Sequence, residues 1–208
     1  IVGAGSETDT VNGPISFSAG SGMTPEIMAI TLLLGGPDAD YQKVFAEKIV
    51  WVKGMSGSER RLAFRRGDLA ATRENPAAYK KHVEPVIAEG KAYTWFHHAL
   101  LDVATGNHVK DPNFTEPTLE ALYEERWGVA PSGDFYDAYK LVKSWRDALQ
   151  KAFWVNAGNP NKDKLVDALN KMLMDPDSVA AIEKKVGKYE WRTGVDGDNA
   201  VKTLKTFI

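Results

Sequence analysis

Three turns hold the small and polar residues best suited to binding chemistry: residues 3–9, 54–58 and 72–75. Each follows a short apolar run that predicts a buried strand. Small residues let the backbone approach a ligand, and the free N–H groups at a helix start favour an anion. Ligands bind beyond the carboxyl ends of the strands in open parallel sheets, so three such turns at adjacent strand ends predict an anion site.

Arg73 brings a guanidinium group to the third of these turns. A guanidinium can clamp a carboxylate with two parallel hydrogen bonds, and we therefore predict that Arg73 contacts the ligand. The alternative is that all three turns are ordinary capped turns. In that case Arg73 would pair with a neighbour such as Glu74 or Asp68.

The elements that must position these turns alternate between strands and helices. Apolar runs predict strands over residues 49–52, 69–72, 92–100 and 151–156. Capping signals predict helix starts at Thr24, Ser56 and Asn75. Residues 10–23 are rich in Gly and Ser and predict an irregular connection. This alternation is typical of an α/β fold with a mostly parallel sheet flanked by helices.

The spacing of apolar residues becomes helical from residue 117 onward. One helix face carries Leu119, Leu122, Tyr123 and Trp127. A second helix follows over residues 135–149, and Asn159 and Asp175, each before a proline, predict the starts of two more. We expect a short strand at 189–192 and a terminal helix at 199–208.

Composition narrows the classes of function. The formal net charge is -2, with 26 Lys and Arg against 28 Asp and Glu, which argues against a nucleic-acid partner. The absence of cysteine excludes thiol catalysis and disulfides. No run of apolar residues reaches the length that a bilayer crossing requires.

His97 and His98, with Asp102 and His108 nearby, are the candidate metal ligands. Adjacent residues on a strand point to opposite faces, so the two histidines are poorly placed to share an ion, and we expect neither a metal nor a cofactor. A serine hydrolase would show a Gly-x-Ser-x-Gly turn, which is missing. An α/β hydrolase-like enzyme that uses a Ser and a His remains the alternative to a binding protein, as does a receptor-like domain reused for signalling or metal capture.

The order of these features resembles the substrate-binding proteins of tripartite tricarboxylate transporters, the Bug-type receptors. The resemblance begins at the turn over residues 3–9. It continues through KGMSGSE at 53–59, AFRRGDLA at 63–70, EPTLEAL at 116–122, NAGNP at 156–160 and LMDP at 173–176.

The resemblance implies a type II periplasmic-binding-protein-like fold of two α/β lobes joined by crossover strands. Residues 1–155 would form the second ligand-binding lobe, and residues 156–208 would pack on a first lobe that is mostly absent from this chain. The implied function is a periplasmic receptor, not an enzyme, that delivers a small organic anion to membrane permease subunits. A separate N-terminal polypeptide is a further candidate partner, because the chain opens within a predicted strand.

The binding residues that the resemblance implies lie on the first two turns: Gly5, Ser6 and Thr8, then Ser56, Gly57 and Ser58. Arg73 is added from its position at a strand end. The chain departs from the family at residues 11–22, which we interpret as an insertion in place of a short link to the next helix.

Overall fold

A five-stranded sheet forms the centre of the computed structural model. Its strands are β1 (Val2–Ala4), β2 (Ile15–Ser18), β3 (Ile49–Val52), β4 (Ala71–Thr72) and β5 (Ala92–Thr94). The structure describes residues 1–6, 13–19, 24–102, 108–112, 114–149, 153, 155–156, 158–186, 191, 193–194, 197–198 and 202.

The strands are ordered β3-β2-β4-β1-β5, and four of them run in one direction. β2 pairs in parallel with β3 and with β4. β1 alone is reversed, because it pairs antiparallel with both β4 and β5. The predicted α/β class and mostly parallel open sheet are therefore confirmed, with one antiparallel strand, β1, between β4 and the edge strand β5.

Nine described helices accompany the sheet, and several begin at the predicted caps. The Thr24 hydroxyl accepts from the Ile27 amide, Asn75 caps the Ala78 amide, and Ser56 forms a capping box with Glu59. The helices are α1 (Pro25–Gly35), α2 (Tyr41–Lys48), α3 (Gly57–Arg66), α4 (Pro76–His82), α5 (Glu84–Ala88), α6 (Leu119–Trp127), α7 (Asp134–Leu149), α8 (Lys162–Met174) and α9 (Pro176–Val186).

Both faces of the sheet are covered. Phe17 and Ala71 lie on one face, in a core with α1 and with Leu119 and Tyr123 of α6. Val2 lies on the other face, with Phe64 of α3 and a core completed by Leu69, Val83, Val86 and Ala92. Burial of these two apolar surfaces from water holds the layers together.

The interpretation of residues 10–23 as an irregular connection is wrong for part of the segment, while the insertion at 11–22 relative to the resembled family stays a prediction. Ile15–Ser18 is β2, which pairs with β3 along its whole length and with β4 at Phe17. Ile15 and Phe17 are fully buried while Ser16 is partly exposed, an alternation typical of a strand. The surrounding Gly and Ser residues concealed this short pattern.

The predicted strand over residues 92–100 is also too long. β5 ends at Thr94, and His97 makes a single isolated bridge to Thr118. β6 (Leu100–Leu101) then pairs with β7 (His108–Val109) in a separate two-stranded sheet. α2, by contrast, was not predicted.

The chain divides into two units, Ile1–Leu100 with Val109–Lys143 and Leu101–His108 with Ser144–Ile208. In the second unit α8 and α9 begin close to the predicted positions, and Asp175 accepts from the Ser178 amide. Of the strand predicted at 151–156, only residues 153, 155 and 156 are described, and none is in a strand. Most of the predicted elements at 189–192 and 199–208 lie outside the described residues.

Candidate functional site

The strongest candidate site lies at the carboxyl edge of the sheet, the edge at which β2, β3 and β4 end. Ser18 pairs with Val52, so β2 and β3 end together, and Thr72 ends β4 next to them. α1 starts just beyond this edge, after Thr24, and α3 starts after Ser56. The three parallel strand ends and two helix starts are the arrangement in which α/β sheets bind ligands.

Two buried hydroxyl groups mark this edge. Ser18 and Thr72 are 0 % and 1 % exposed, and within the described residues neither Oγ nor Oγ1 has a hydrogen-bond partner. Both residues directly follow the paired residues Phe17 and Ala71, so both side chains lie on the opposite face of the sheet from that pair. Buried hydroxyls without partners are costly, which makes these two groups available to a ligand or to ordered water.

Arg60 approaches the same edge from α3. Thr72 pairs with Val2, and Val2 packs with Ala63 and Phe64 of α3, so Thr72 faces α3. Arg60 lies one turn before those two residues, and its Nη2 donates to the Arg73 carbonyl oxygen at 3.4 Å. It is 7 % exposed and its Nε has no hydrogen-bond partner within the described residues.

Arg73 pairs with Glu26 in the first turn of α1. Its Nε lies 3.4 Å from Glu26 Oε1, without the alignment of a hydrogen bond. The Glu26 side chain is 2 % exposed, whereas that of Arg73 is 32 % exposed. The buried Glu26 therefore holds Arg73 at the edge while part of the Arg73 side chain still reaches solvent.

The two sequence neighbours predicted as alternative ion-pair partners of Arg73, Glu74 and Asp68, pair with other arginines. Glu74 accepts two hydrogen bonds from Arg61, at 2.8 and 3.0 Å, and also lies 3.9 Å from Arg60. Asp68 pairs with Arg66 instead. As the alternative expected, Arg73 pairs with a carboxylate of the chain, but that carboxylate is Glu26 on α1, which is distant in sequence. A contact of Arg73 with a ligand stays a prediction.

Five side chains thus form one charged cluster: Arg60, Arg61, Arg73, Glu26 and Glu74. Burial, followed by repulsion from the nearby Arg73 charge, lowers the pKa of Arg60 below its usual value. An arginine nevertheless stays protonated at neutral pH. The cluster therefore presents positive charge that is incompletely hydrogen-bonded by the described residues, next to two hydroxyls that have no partner among those residues.

The second predicted turn lies near this cluster but is already engaged. The Ser56 amide donates to Glu59 Oε2 at 2.7 Å, and the Ser56 hydroxyl accepts from the Glu59 amide at 3.3 Å. This capping box lowers the pKa of the Glu59 carboxyl. Ser56 and Ser58 are exposed, and Gly57 is partly exposed. The structure thus gives Ser56 a helix-capping role, and ligand contacts of all three residues remain predictions.

The first predicted turn lies at the opposite edge. β1 runs antiparallel to β4, so the end of β1 lies beside the start of β4. The Ala4 amide donates to the Ala70 carbonyl, and the amide of the next residue, Gly5, donates to the Lys91 carbonyl. These partners precede β4 and β5, at the amino edge of the sheet. The expectation that all three turns share one edge is therefore wrong: Gly5 and Ser6 are separated from Arg73 by the length of the strands. Thr8 lies outside the described residues.

A shallow cavity of about 310 Å³ opens beside the β3–α3 turn. It is lined by Lys53, Gly54, Met55, Glu59, Leu62, Ala63 and Arg66, and includes neither Arg73 nor the two buried hydroxyls. Lys53, Gly54 and Met55 directly follow β3, and the other four lining residues lie on α3. Because the lining contains no member of the Arg73 pair and neither hydroxyl, we do not place the site there.

His97 and His98, the central histidines of the candidate metal site, each have a neighbour in hydrogen-bond range. His97 Nδ1 lies 3.1 Å from the His98 carbonyl oxygen, and the His97 ring stacks on Phe114. His98 Nδ1 lies 2.8 Å from the Tyr139 hydroxyl. Among the residues that the structure describes, no group of three or more His, Asp or Glu side chains is placed to hold a metal ion.

Comparison of the chain with protein-family models, curated proteins and solved structures finds no match. The resemblance to the tripartite tricarboxylate receptors therefore remains a prediction from the residues. A search of the described helices for membrane spans finds none with the length and hydrophobicity that a crossing needs.

Four residues of this edge were not predicted: Ser18, Glu26, Arg60 and Thr72. Ser18 lies in the segment interpreted as an insertion, and Thr72 opens the third turn but was not selected. The sequence signal that would have found Ser18 is the alternation of Ile15 and Phe17 just before a Gly-Ser-Gly run and a capped helix. That order is the same strand, turn and helix order used to select the other turns.

Proposed function

We propose that the chain is the ligand-binding lobe of a two-lobed receptor that captures a small organic acid without chemical turnover. The single observation that carries this proposal is the charged cluster beside two buried hydroxyls that have no partner among the described residues. A carboxylate would accept from the guanidinium groups, and the hydroxyls would donate to it or to a neighbouring oxygen.

A protein that binds a ligand without converting it would have a use for this charged cluster. A receptor exploits the difference in affinity between its open and closed forms, and this needs no nucleophile or general base. The polar groups at the carboxyl edge are donors and charges, which suit recognition of an anion. Most of the cluster is buried, so its interaction with an anion would be weakly screened by solvent.

The sheet topology supports the type II receptor architecture. β1 is the only strand of the five-stranded sheet that runs against its neighbours, and it is inserted between β4 and β5. A crossover strand arriving from another lobe would enter the sheet in this way. In this interpretation residues 1–155 form the second lobe, and residues 156–208 pack on the first lobe.

The same proposal assigns a periplasmic location and membrane permease subunits as the downstream partners. A separate N-terminal polypeptide would supply the rest of the first lobe. Native mass spectrometry of the isolated protein, followed by the same measurement after denaturation, tests this part. A second polypeptide that dissociates on denaturation supports it, and a chain that stays alone under native conditions contradicts the separate polypeptide.

The binding function itself is tested by thermal unfolding in the presence of mono-, di- and aromatic carboxylates. At a ligand concentration one hundred times the dissociation constant, the expected stabilisation is about 2.7 kcal/mol. Arg73→Gln should weaken binding roughly tenfold or more, because it removes a charge-assisted contact of about 1.5–3 kcal/mol.

Arg66→Gln is the matched control, because Arg66 also pairs with a carboxylate but lies on the exposed end of α3. It should leave the affinity unchanged. An absence of any shift across the panel, or equal losses in the two variants, would refute the proposal. The hydrolase alternative predicts turnover of esters or amides that disappears on replacement of His97 or His98, and no contact of the described residues favours it.

A further inference from the structure

β3 is an edge strand of the central sheet, and its outer side is open. It stands first in the strand order, and within the described residues it pairs with β2 alone. Its outward N–H and C=O groups are therefore available to a further strand. The strand reads IVWV, a run of β-branched and aromatic residues that favours strand pairing, and Val50 at its middle is 50 % exposed.

The opposite edge strand, β5, is covered. Ala92 is buried, and Tyr93 and Thr94 are only partly exposed. Tyr79 of α4 lies over this edge, with its hydroxyl 2.7 Å from Thr94 Oγ1. The two edges of the same sheet thus differ, and β3 is the one with an exposed apolar side chain.

An apolar surface continues from β3 onto α3. Val52 packs with Met55 against the core beneath α3, so Val50, two residues earlier on the strand, faces the same side. Leu62 on α3 is 55 % exposed and lines the shallow cavity together with Met55 and Ala63. A strand added beside β3 would place every second side chain on this side, where the cavity could receive one of them.

A lysine stands at each end of β3. Lys48 ends α2 and Lys53 follows the strand, and both side chains are exposed. The Lys53 ammonium lies 4.4 Å from the centre of the Trp51 ring, and neither lysine forms an ion pair with a described residue. The nearby carboxylates are engaged elsewhere, because Glu47 lies 3.9 Å from Lys43 and Glu59 accepts from the Ser56 amide.

These two lysines disfavour a second copy of the chain as the added strand. An antiparallel pairing of all four residues with β3 of another copy would put Lys48 opposite Lys53 at both ends, and a parallel pairing would put each lysine opposite its own equivalent. Like charges directly opposite each other destabilise a strand pair. A strand with an acidic residue at each end would meet a lysine at both ends, whichever direction it runs.

We propose that the edge of β3 binds an extended segment of a partner protein, which adds a sixth strand to the sheet. The segment has four paired residues, with apolar side chains toward α3, and an acidic residue at each end. Main-chain hydrogen bonds supply affinity in this mode of recognition, and the alternate side chains and end charges supply specificity. The proposal goes beyond the proposed function, because it needs no organic acid.

A titration of the 208-residue chain with short peptides, followed by nuclear magnetic resonance, tests the proposal. The probe is the peptide Glu-Val-Thr-Leu-Thr-Glu, capped at both ends, and its control has Lys in place of each Glu. The Glu-ended peptide should shift the amides of β3 and the Leu62 methyl groups, leave β5 unchanged, and bind about tenfold more tightly than the control. Equal binding of the two peptides would overturn the proposal. So would an absence of saturable shifts up to about 10 mM, where a dissociation constant of about 1 mM would give near saturation.

A charge swap tests the role of the two lysines. Lys48→Glu combined with Lys53→Glu should reverse the preference, so that the Lys-ended peptide binds more tightly than the Glu-ended one. Lys80→Glu combined with Lys91→Glu is the matched control, because it makes the same change in net charge on α4 and just before β5. Its preference should remain that of the wild type.

An unchanged preference in the β3 variant, or the same reversal in the control, would overturn the proposal. Shifts at β3 that appear on raising the protein concentration without peptide would indicate pairing between copies and would also overturn it. None of these outcomes bears on carboxylate binding at the charged cluster, which the thermal unfolding experiment tests separately.

Discussion

The two edges of the central sheet carry similar residue types but very different environments. At the amino edge, Gly5 and Ser6 are exposed, and the Gly5 amide donates to Lys91. At the carboxyl edge, Ser18 and Thr72 are almost fully buried next to Arg60 and have no hydrogen-bond partner within the described residues. A small polar residue after a strand is therefore informative only when the direction of that strand is known.

The direction of β1 is what separates the two edges. A parallel β1 would have placed Gly5 and Ser6 beside Arg73, and the antiparallel β1 places them at the far end of the strands. Strand direction depends on pairing between distant segments, so local residue patterns do not reveal it.

The largest expected effect comes from the centre of β1, where Gly3 lies against the ring of Tyr93. A Cβ atom at Gly3 would come within 2.6 Å of Tyr93 Oη. Gly3→Ala should therefore destabilise the protein by about 2–3 kcal/mol in urea unfolding, by overpacking. Gly13→Ala is the control, because a Cβ there meets nothing within 4 Å, and it should be nearly neutral. A neutral Gly3 variant would show that β1 is not held as described.

A smaller effect of opposite sign is expected at the carboxyl edge. Thr72→Val replaces a buried hydroxyl that has no partner among the described residues by a methyl group of similar shape, so it should stabilise the ligand-free protein by about 1 kcal/mol. The same variant should bind the carboxylate more weakly. Together the two changes would identify a group kept for binding at the expense of stability.

Thr31→Val is the matched control for this variant. Thr31 is equally buried, but its hydroxyl donates to the Ile27 carbonyl at 2.8 Å. Its replacement should give no stabilisation and no change in affinity. If Thr72→Val destabilises the protein as much as the loss of a hydrogen-bonded hydroxyl would, the Thr72 hydroxyl is not an unpaired group kept for ligand binding.

At the β3–α3 turn we expect a loss of stability that is separate from binding. Ser56→Ala removes the side-chain half of the capping box and should cost about 1 kcal/mol in chemical unfolding. Ser58→Ala, on the exposed surface of the first turn, should cost less. A tenfold loss of affinity in the Ser56 variant would instead restore Ser56 as a ligand contact.

The smallest effect concerns His97, just beyond the carboxyl end of β5. Burial lowers the pKa of its imidazole below the ordinary value of 6.5. As the pH falls below 6.5 the unfolded chain takes up the proton first, so the contribution of His97 to stability is present above that pH and is lost below it. Unfolding free energies from pH 7.5 to 5 should decline more for the wild type than for His97→Gln, by a fraction of a kcal/mol. Equal declines would contradict this origin.

Much of the layer architecture could be predicted from local signals, because caps such as Thr24, Ser56 and Asn75 act within one helical turn. The strand Ile15–Ser18 was missed because four residues surrounded by Gly and Ser carry a weak periodic signal. Of the five side chains of the charged cluster, only Arg73 was predicted as a site residue. Arg73 pairs with Glu26, which lies on a separate element. The sequence around either residue does not indicate this contact, because only the fold brings the two elements together.

The most direct test of the site is a map of backbone amide chemical shifts by nuclear magnetic resonance during a titration with the carboxylate that gives the largest thermal stabilisation. We predict that the saturable shifts concentrate on the carboxyl edge, at Ser18, Ala19, Thr72, Arg73 and the first turn of α1. Gly5 and Ser6 should not move. Shifts concentrated at Gly5 and Ser6, with the carboxyl edge unchanged, would contradict the assignment of the binding site to the carboxyl edge.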